Sequence, residues 1–161
     1  MLPVGPVGPG DSPYASTSSF AGEPLFVALE PLVEQGLLPR AALRPARGER
    51  APAEGEQVDW RAARRFKERR FHAAYEAFRA RGGLRFHRSH GWWLDPWCAF
   101  AAARPAASSD LGYHAFLQLE FDRQWTALRA HCAREGVLLL GGEGQRGQPD
   151  LGRAGDDGVA A

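Results

Sequence analysis

Asp11, Ser12 and Tyr14 set a carboxylate, a hydroxyl and a phenol almost side by side, in a stretch that can hardly be helical. Pro3, Pro6, Pro9 and Pro13 lack backbone donors, and Gly5, Gly8 and Gly10 permit backbone angles that other residues avoid. The pattern describes a stiff, sharply turned loop with those three side chains at its tip. An ordinary Pro/Gly connector is the plain alternative, and composition alone leaves both open. Trp92, Trp93, Trp97 and Phe100 form a second candidate group. Aromatic rings so clustered stack on sugars or, as is usual at helical spacing, pack against a neighbouring element. His87-x-x-His90 has no carboxylate or cysteine at ligand spacing and reads as a surface pair rather than a zinc site. His131-Cys132 suggests a thiol nucleophile, but its helical phase puts Cys132 on an apolar stripe, where an inert core thiol is expected.

The elements that must hold these groups follow from periodicity. Leu25 to Leu29 is a short apolar run, and Glu30 to Gly36 makes one or two helical turns stopped by Gly36. Residues 39–57 mix Pro, Arg, Glu and Ala without an apolar period and read as a mobile surface connection. Asp59 can cap a helix reaching about Arg81, with Gly82 and Gly83 as its stop. Ala63, Lys67, Phe71, Tyr75 and Phe78 give it one face that is apolar except for Lys67. Arg61, Arg64, Arg65, Arg69 and Arg70 are read onto the opposite face, as a solvated surface or, alternatively, a nucleic-acid patch. Asp95-Pro96 is suited to starting a helix. Asp110 to Glu135 reads as a long helix with Leu117, Phe121, Trp125, Leu128 and Cys132 on its inner stripe and Gly136 as its stop. Val137 to Leu140 is apolar on both faces, as in a strand of a parallel α/β sheet. Residues 142–161 hold six glycines and no aromatic residue, and are expected to be disordered.

With 161 residues, 44% of them hydrophobic and 24% charged, the chain can bury a core of its own. A net charge of +1 lacks the uniform field of a nucleic-acid or membrane-surface binder. No run of apolar residues is long enough to span a bilayer, and no secretory signal is visible at the N-terminus. Cys98 and Cys132 are the only cysteines, which points to the reducing cytoplasm rather than a disulfide framework.

Several ordered blocks carry a resemblance. Gly10-Asp11-Ser12-Pro13-Tyr14, then Ser16 and Phe20-Ala21-Gly22-x-Pro24, resembles the substrate loop of the amylomaltases, the 4-α-glucanotransferases of glycoside hydrolase family 77. Leu25 to Leu38 is similar to that family's next segment, as is Val58-Asp59-Trp60 opening a helix. Trp92-Trp93-Leu94-Asp95 with Ala99 and Phe100 resembles its W-L-x-D-Y-A-L-F. Phe116-x-Gln118, Phe121-x-Arg123-Gln124-Trp125 and Leu128 resemble its F-x-Q-x-x-F-x-R-Q-W-x-x-L. The run Gly136 to Gly141 is similar to one of its buried barrel strands.

The resemblance implies an α/β fold, part of a TIM (β/α)8 barrel with mostly helical insertions and about two of the eight strands present. Residues 1–38 would be a strand end and the substrate loop, 39–57 a flexible connection and 58–109 a helical insertion. Residues 110–141 would be a helix plus a barrel strand, and 142–161 a disordered tail. It implies a retaining transfer between maltooligosaccharides, in which an Asp attacks the anomeric carbon while a Glu protonates the departing oxygen. Neither metal nor organic cofactor is implied. Tyr14 corresponds to the tyrosine beside the scissile sugar, Ser12 to a serine on glucan hydroxyls, and Asp11 to a brace within the loop. The implied partners are α-1,4-glucans, not nucleic acid or membrane.

The departures are equally specific. The family's first strand and helix have no counterpart ahead of the loop, and Gly141-Gly142 stands where it has Gly-Asp. Ala21-Gly22-Glu23-Pro24 replaces Ala-Gly-Asn-Pro, Pro96-Trp97 replaces Asp-Tyr, and the stretch between Phe100 and Tyr113 is shorter. The nucleophile and acid/base find no match. The expectation is therefore a truncated member, with a shifted reading frame suspected after Gly141 and no activity of its own. A non-catalytic glucan-binding or interaction remnant is the alternative.

Overall fold

A computed structural model of the chain describes residues 3–8, 12, 14–50, 53–54, 57–83 and 91–139. Four helices dominate them: α1 (Glu30–Glu34), α2 (Trp60–Ala80), α3 (Gly91–Ala102) and α4 (Leu111–Arg134). Short 3-10 turns lie at Pro24–Phe26 and Arg40–Leu43. The sheet among the described residues is a two-residue antiparallel pair, β1 (Ala53–Glu54) with β2 (Gln57–Val58), in the register Ala53 to Val58 and Glu54 to Gln57.

Asp59 and Asp110 start the long helices as expected. Each is extended, and each side chain accepts an amide of the first turn, Ala62 N at 2.9 Å and Gly112 N at 2.9 Å. Gly36, Gly82 and Gly136 follow α1, α2 and α4 with φ of +69°, +76° and +68°, a conformation that glycine adopts without steric cost.

Two cores result. In one, Phe66, Phe71, Ala74 and Tyr75 of α2 meet Tyr113, Phe116, Leu117 and Phe121 of α4, with Val27, Leu29 and Leu32 closing the end. In the other, Leu94, Trp97, Cys98 and Ala101 of α3 pack against Ala115 of α4 and Ala21. The first half of α4 therefore lies between two partners and is buried almost all round.

Several expectations need correction. Pro96 does not start a helix; it sits inside α3, which is already under way at Gly91. Arg70 does not belong to the solvated face of α2. It lies four residues after Phe66 and four before Ala74, hence on their side of a 3.6-residue helix, and it is buried. The stripe on α4 holds for Leu117 and Phe121 and in part for Trp125, while farther along Leu128 is exposed and Cys132 half-buried. Val137 to Leu139 form no strand, and Leu138 is 86% exposed. A parallel strand is held by hydrogen bonds to flanking strands, and none lies alongside among the described residues. What the described residues form is helical. The tail at 142–161, with Leu140 and Gly141, lies outside them.

Residues 42–49 of the segment without an apolar period are nevertheless tied to α2. The Arg70 guanidinium donates to Ala42 O at 2.6 Å, Arg44 O at 2.9 Å and both Glu49 carboxylate oxygens at 2.9 and 2.8 Å. These bonds, with the Ala46 amide, hold the Glu49 carboxyl at about 2, well below its usual range.

Candidate functional site

The loop that carries Ser12 and Tyr14 is a hairpin-like excursion whose limbs are joined backbone to backbone. Glu23 N donates to Val4 O at 2.8 Å and Thr17 N to Pro6 O at 3.1 Å. Nearer the tip, Ala15 N donates to Ser12 O at 3.2 Å and Tyr14 N to Ser12 Oγ at 3.3 Å, a serine turn. Ser18 Oγ accepts Phe20 N and Ala21 N at 3.1 and 3.0 Å and so turns the outgoing limb. The limbs approach so closely that a Cβ at Gly8 would meet the Ala15 carbonyl. Tyr14 stands 78% exposed. Asp11 lies outside the described residues.

The foot of the loop, residues 22–28, is gripped by side chains from two helices. Gln118 of α4 accepts Gly22 N at 2.8 Å and donates to Gly22 O at 3.0 Å. Six residues on, Gln124 does the same to Ala28, at 2.8 and 3.1 Å. Each carboxamide offers one acceptor and two donors, so it completes a peptide unit as a neighbouring strand would. Lys67 of α2 donates to Leu25 O at 2.6 Å and Val27 O at 2.8 Å. Burial lowers its ammonium pKa, against the opposing pull of the Glu30 and Glu23 charges. The segment thus has its buried backbone groups satisfied without a sheet.

Glu120 is a buried carboxylate outside this foot. Arg123 donates to it at 2.8 Å and Gln35 at 3.3 Å; burial raises its pKa and Arg123 pulls it back.

The aromatic cluster divides. Trp97 is buried under α3 with Phe100 at 5.7 Å between ring centroids. Trp92 is 63% exposed and meets Phe20 of the loop edge-on at 4.9 Å, with Trp93 stacked on the same ring at 6.3 Å. Packing therefore describes Trp97, and Trp92 joins the loop. Cys98 is buried, and desolvation, with Asp95 nearby, pushes its thiol up to about 12, as for an inert core cysteine. Cys132 is only half-buried. His87 and His90 fall outside the described residues, among which no group of three potential metal ligands occurs.

Reading the residues alone missed Glu23, Lys67, Gln118 and Gln124 as the grips of the foot. One signal was present: Lys67 is the single lysine of the chain and lies on an otherwise apolar helix face. The glutamines stand out only as members of the F-x-Q-x-x-F-x-R-Q-W-x-x-L resemblance, which does not give their partners, backbone atoms 96 positions away.

A family model described as 4-alpha-glucanotransferase matches residues 1–110. Among curated proteins, a 4-alpha-glucanotransferase of Thermus thermophilus is 31% identical over 88% of this chain and 33% of its own length. Those of Synechocystis sp. and Streptococcus pneumoniae are 26% and 27% identical over the same share of the chain and 34% of theirs. The chain spans about a third of the length of these relatives.

Proposed function

The chain belongs to the 4-alpha-glucanotransferase family, and we propose that its loop at residues 10–20 takes an α-1,4-glucan through Tyr14 and Ser12, with Asp11 bracing the loop as part of that substrate-binding group. The exposed Tyr14 on a loop whose foot is fixed by the buried Gln118 and the half-buried Gln124 and Lys67 carries this reading. A phenol offers a sugar both an apolar face and a hydrogen-bonding tip, and a loop whose foot is already fixed has less freedom to lose on binding. Trp92, beside Phe20, extends the apolar surface.

The reaction served is the family's retaining transfer of glucan segments between maltooligosaccharides, an Asp attacking the anomeric carbon and a Glu acting as acid and base. We infer that neither member of that pair is supplied by these 161 residues. On this proposal its helices flank part of a TIM barrel, with Val137 to Leu140 as a strand, and the polypeptide by itself binds glucan without transferring it. Two free thiols suit a reducing cytoplasm. No helix of the described residues is long and apolar enough to cross a membrane.

Titration with maltoheptaose, followed by tryptophan fluorescence, tests the reading. A saturable change in the millimolar range, lost in Tyr14→Ala, is expected; no response supports an inert fragment. Incubation with maltotriose should yield no glucose. Glucose together with longer maltooligosaccharides would overturn the inactivity of the polypeptide.

A further inference from the structure

The Glu23 side chain reaches both limbs of the loop and a helix behind it. Its carboxylate is buried; Oε2 accepts Val7 N at 3.1 Å, and Oε1 accepts Leu25 N at 3.2 Å. Arg64 of α2 brings Nη1 to 3.5 Å from Oε1, which answers the charge that burial would otherwise leave uncompensated. The Glu23 amide donates to Val4 O at 2.8 Å. The pair lines a cleft of about 360 Å³ between the loop foot, α2 and the α3–α4 connection, so it forms a wall of an open space.

The chemistry of this position is narrow. Asparagine, the residue in the family pattern, or aspartate can cap Leu25 N but is shorter by one methylene, about 1.5 Å, and does not reach Val7. Glutamine keeps the reach, yet it presents one acceptor to two amide donors and no charge to Arg64. Only the longer carboxylate meets all three groups.

We propose that Glu23 is the positioning residue of this loop: backed by Arg64, it closes the loop's base and thereby sets the affinity with which Ser12 and Tyr14 take a glucan. The inference rests on the glucan reading above. Its first test does not. Chymotrypsin cuts after Tyr14, and under native conditions the rate follows how often the loop opens. Glu23→Gln and Arg64→Gln should each speed that cleavage by about tenfold, the worth of one charge-assisted hydrogen bond. The double variant should be no faster than either single one. Unchanged cleavage overturns the proposal whether or not sugar binds.

The second test is maltoheptaose affinity in the same variants. A five- to tenfold weakening, about that expected for the same lost bond, should appear in Glu23→Gln at concentrations of urea where both proteins are fully folded. A residue that served only stability would leave the affinity of the folded protein intact, and that result overturns the proposal. Faster cleavage of the variants together with no sugar binding by the wild type overturns the glucan reading and, with it, the affinity half of the inference. Should Glu23→Gln not fold, Glu23→Asn replaces it, and hydrogen exchange on the wild type still decides. The Val7 and Leu25 amides should be protected; exchange at the rate of an unstructured peptide refutes the clasp.

Discussion

Replacing Gly22 by alanine tests how tightly the loop foot is built. Gly22 is buried and its φ is not positive, so alanine meets no backbone penalty there. The obstacle is lateral: a Cβ would fall within the ring of Phe121, touching its Cγ, Cδ1 and Cε1. Phe121 is itself buried in the core that holds Leu32 of α1 and the inner face of α2, so the ring has little room to withdraw. Overpacking of this kind costs about 1–3 kcal/mol. If the backbone shifts instead, the two Gln118 bonds go, at about 0.5–1.5 kcal/mol each. Either way we expect a loss of about 1–3 kcal/mol in urea unfolding, and a melting point lower by about 3–9 °C. The decisive comparison uses Phe121→Ala as the background. There the added methyl enters vacated space, and Gly22→Ala should be neutral within about 0.5 kcal/mol or stabilising. Equal destabilisation with and without the Phe121 ring would refute the steric argument.

Other expectations follow from the same contacts. Gln118→Leu strands a buried N–H and C=O at Gly22 and should cost about 2–4 kcal/mol in urea unfolding, clearly more than Gln124→Leu, whose partner Ala28 is half-buried. Glu49 titrates at about 2 in the folded chain against an ordinary 4.5, so its contribution is complete above about pH 4.5 and drains away as pH falls through 2. The urea midpoint of the wild type should therefore fall more steeply over that window than that of Glu49→Gln; parallel acid slopes would contradict the pairing with Arg70. Alkylation with iodoacetamide, read by mass spectrometry, should label Cys132 in the native protein and Cys98 only after denaturation.

The long helices were legible because capping and periodicity are local. Asp59 and Asp110 sit one residue ahead of α2 and α4, and the buried positions of α2 from Phe71 onward repeat at three and four. The start of α3 was misjudged because Asp-Pro is a strong local signal, and burial of Leu94, Trp97 and Cys98 against α4 outweighs the donor that Pro96 lacks. Arg70 was placed among solvated arginines by its charge; its helical phase, read together with Glu49 twenty-one positions away, would have shown otherwise. Val137 to Leu140 has the composition of a buried strand, but composition cannot supply the neighbours that make one. At the candidate site the loop was readable from its motif. The grips at its foot were not, since they join side chains to backbone carbonyls and amides that every residue has.

The most direct measurement of the central claim is an amide and aromatic chemical-shift map of the 161-residue polypeptide titrated with maltoheptaose. Shifts concentrated at Ser12, Tyr14 and Phe20, with Trp92 following and the second half of α4 unmoved, are expected. Shifts confined to other surfaces, or none at saturating sugar, would contradict the assignment of this loop to glucan.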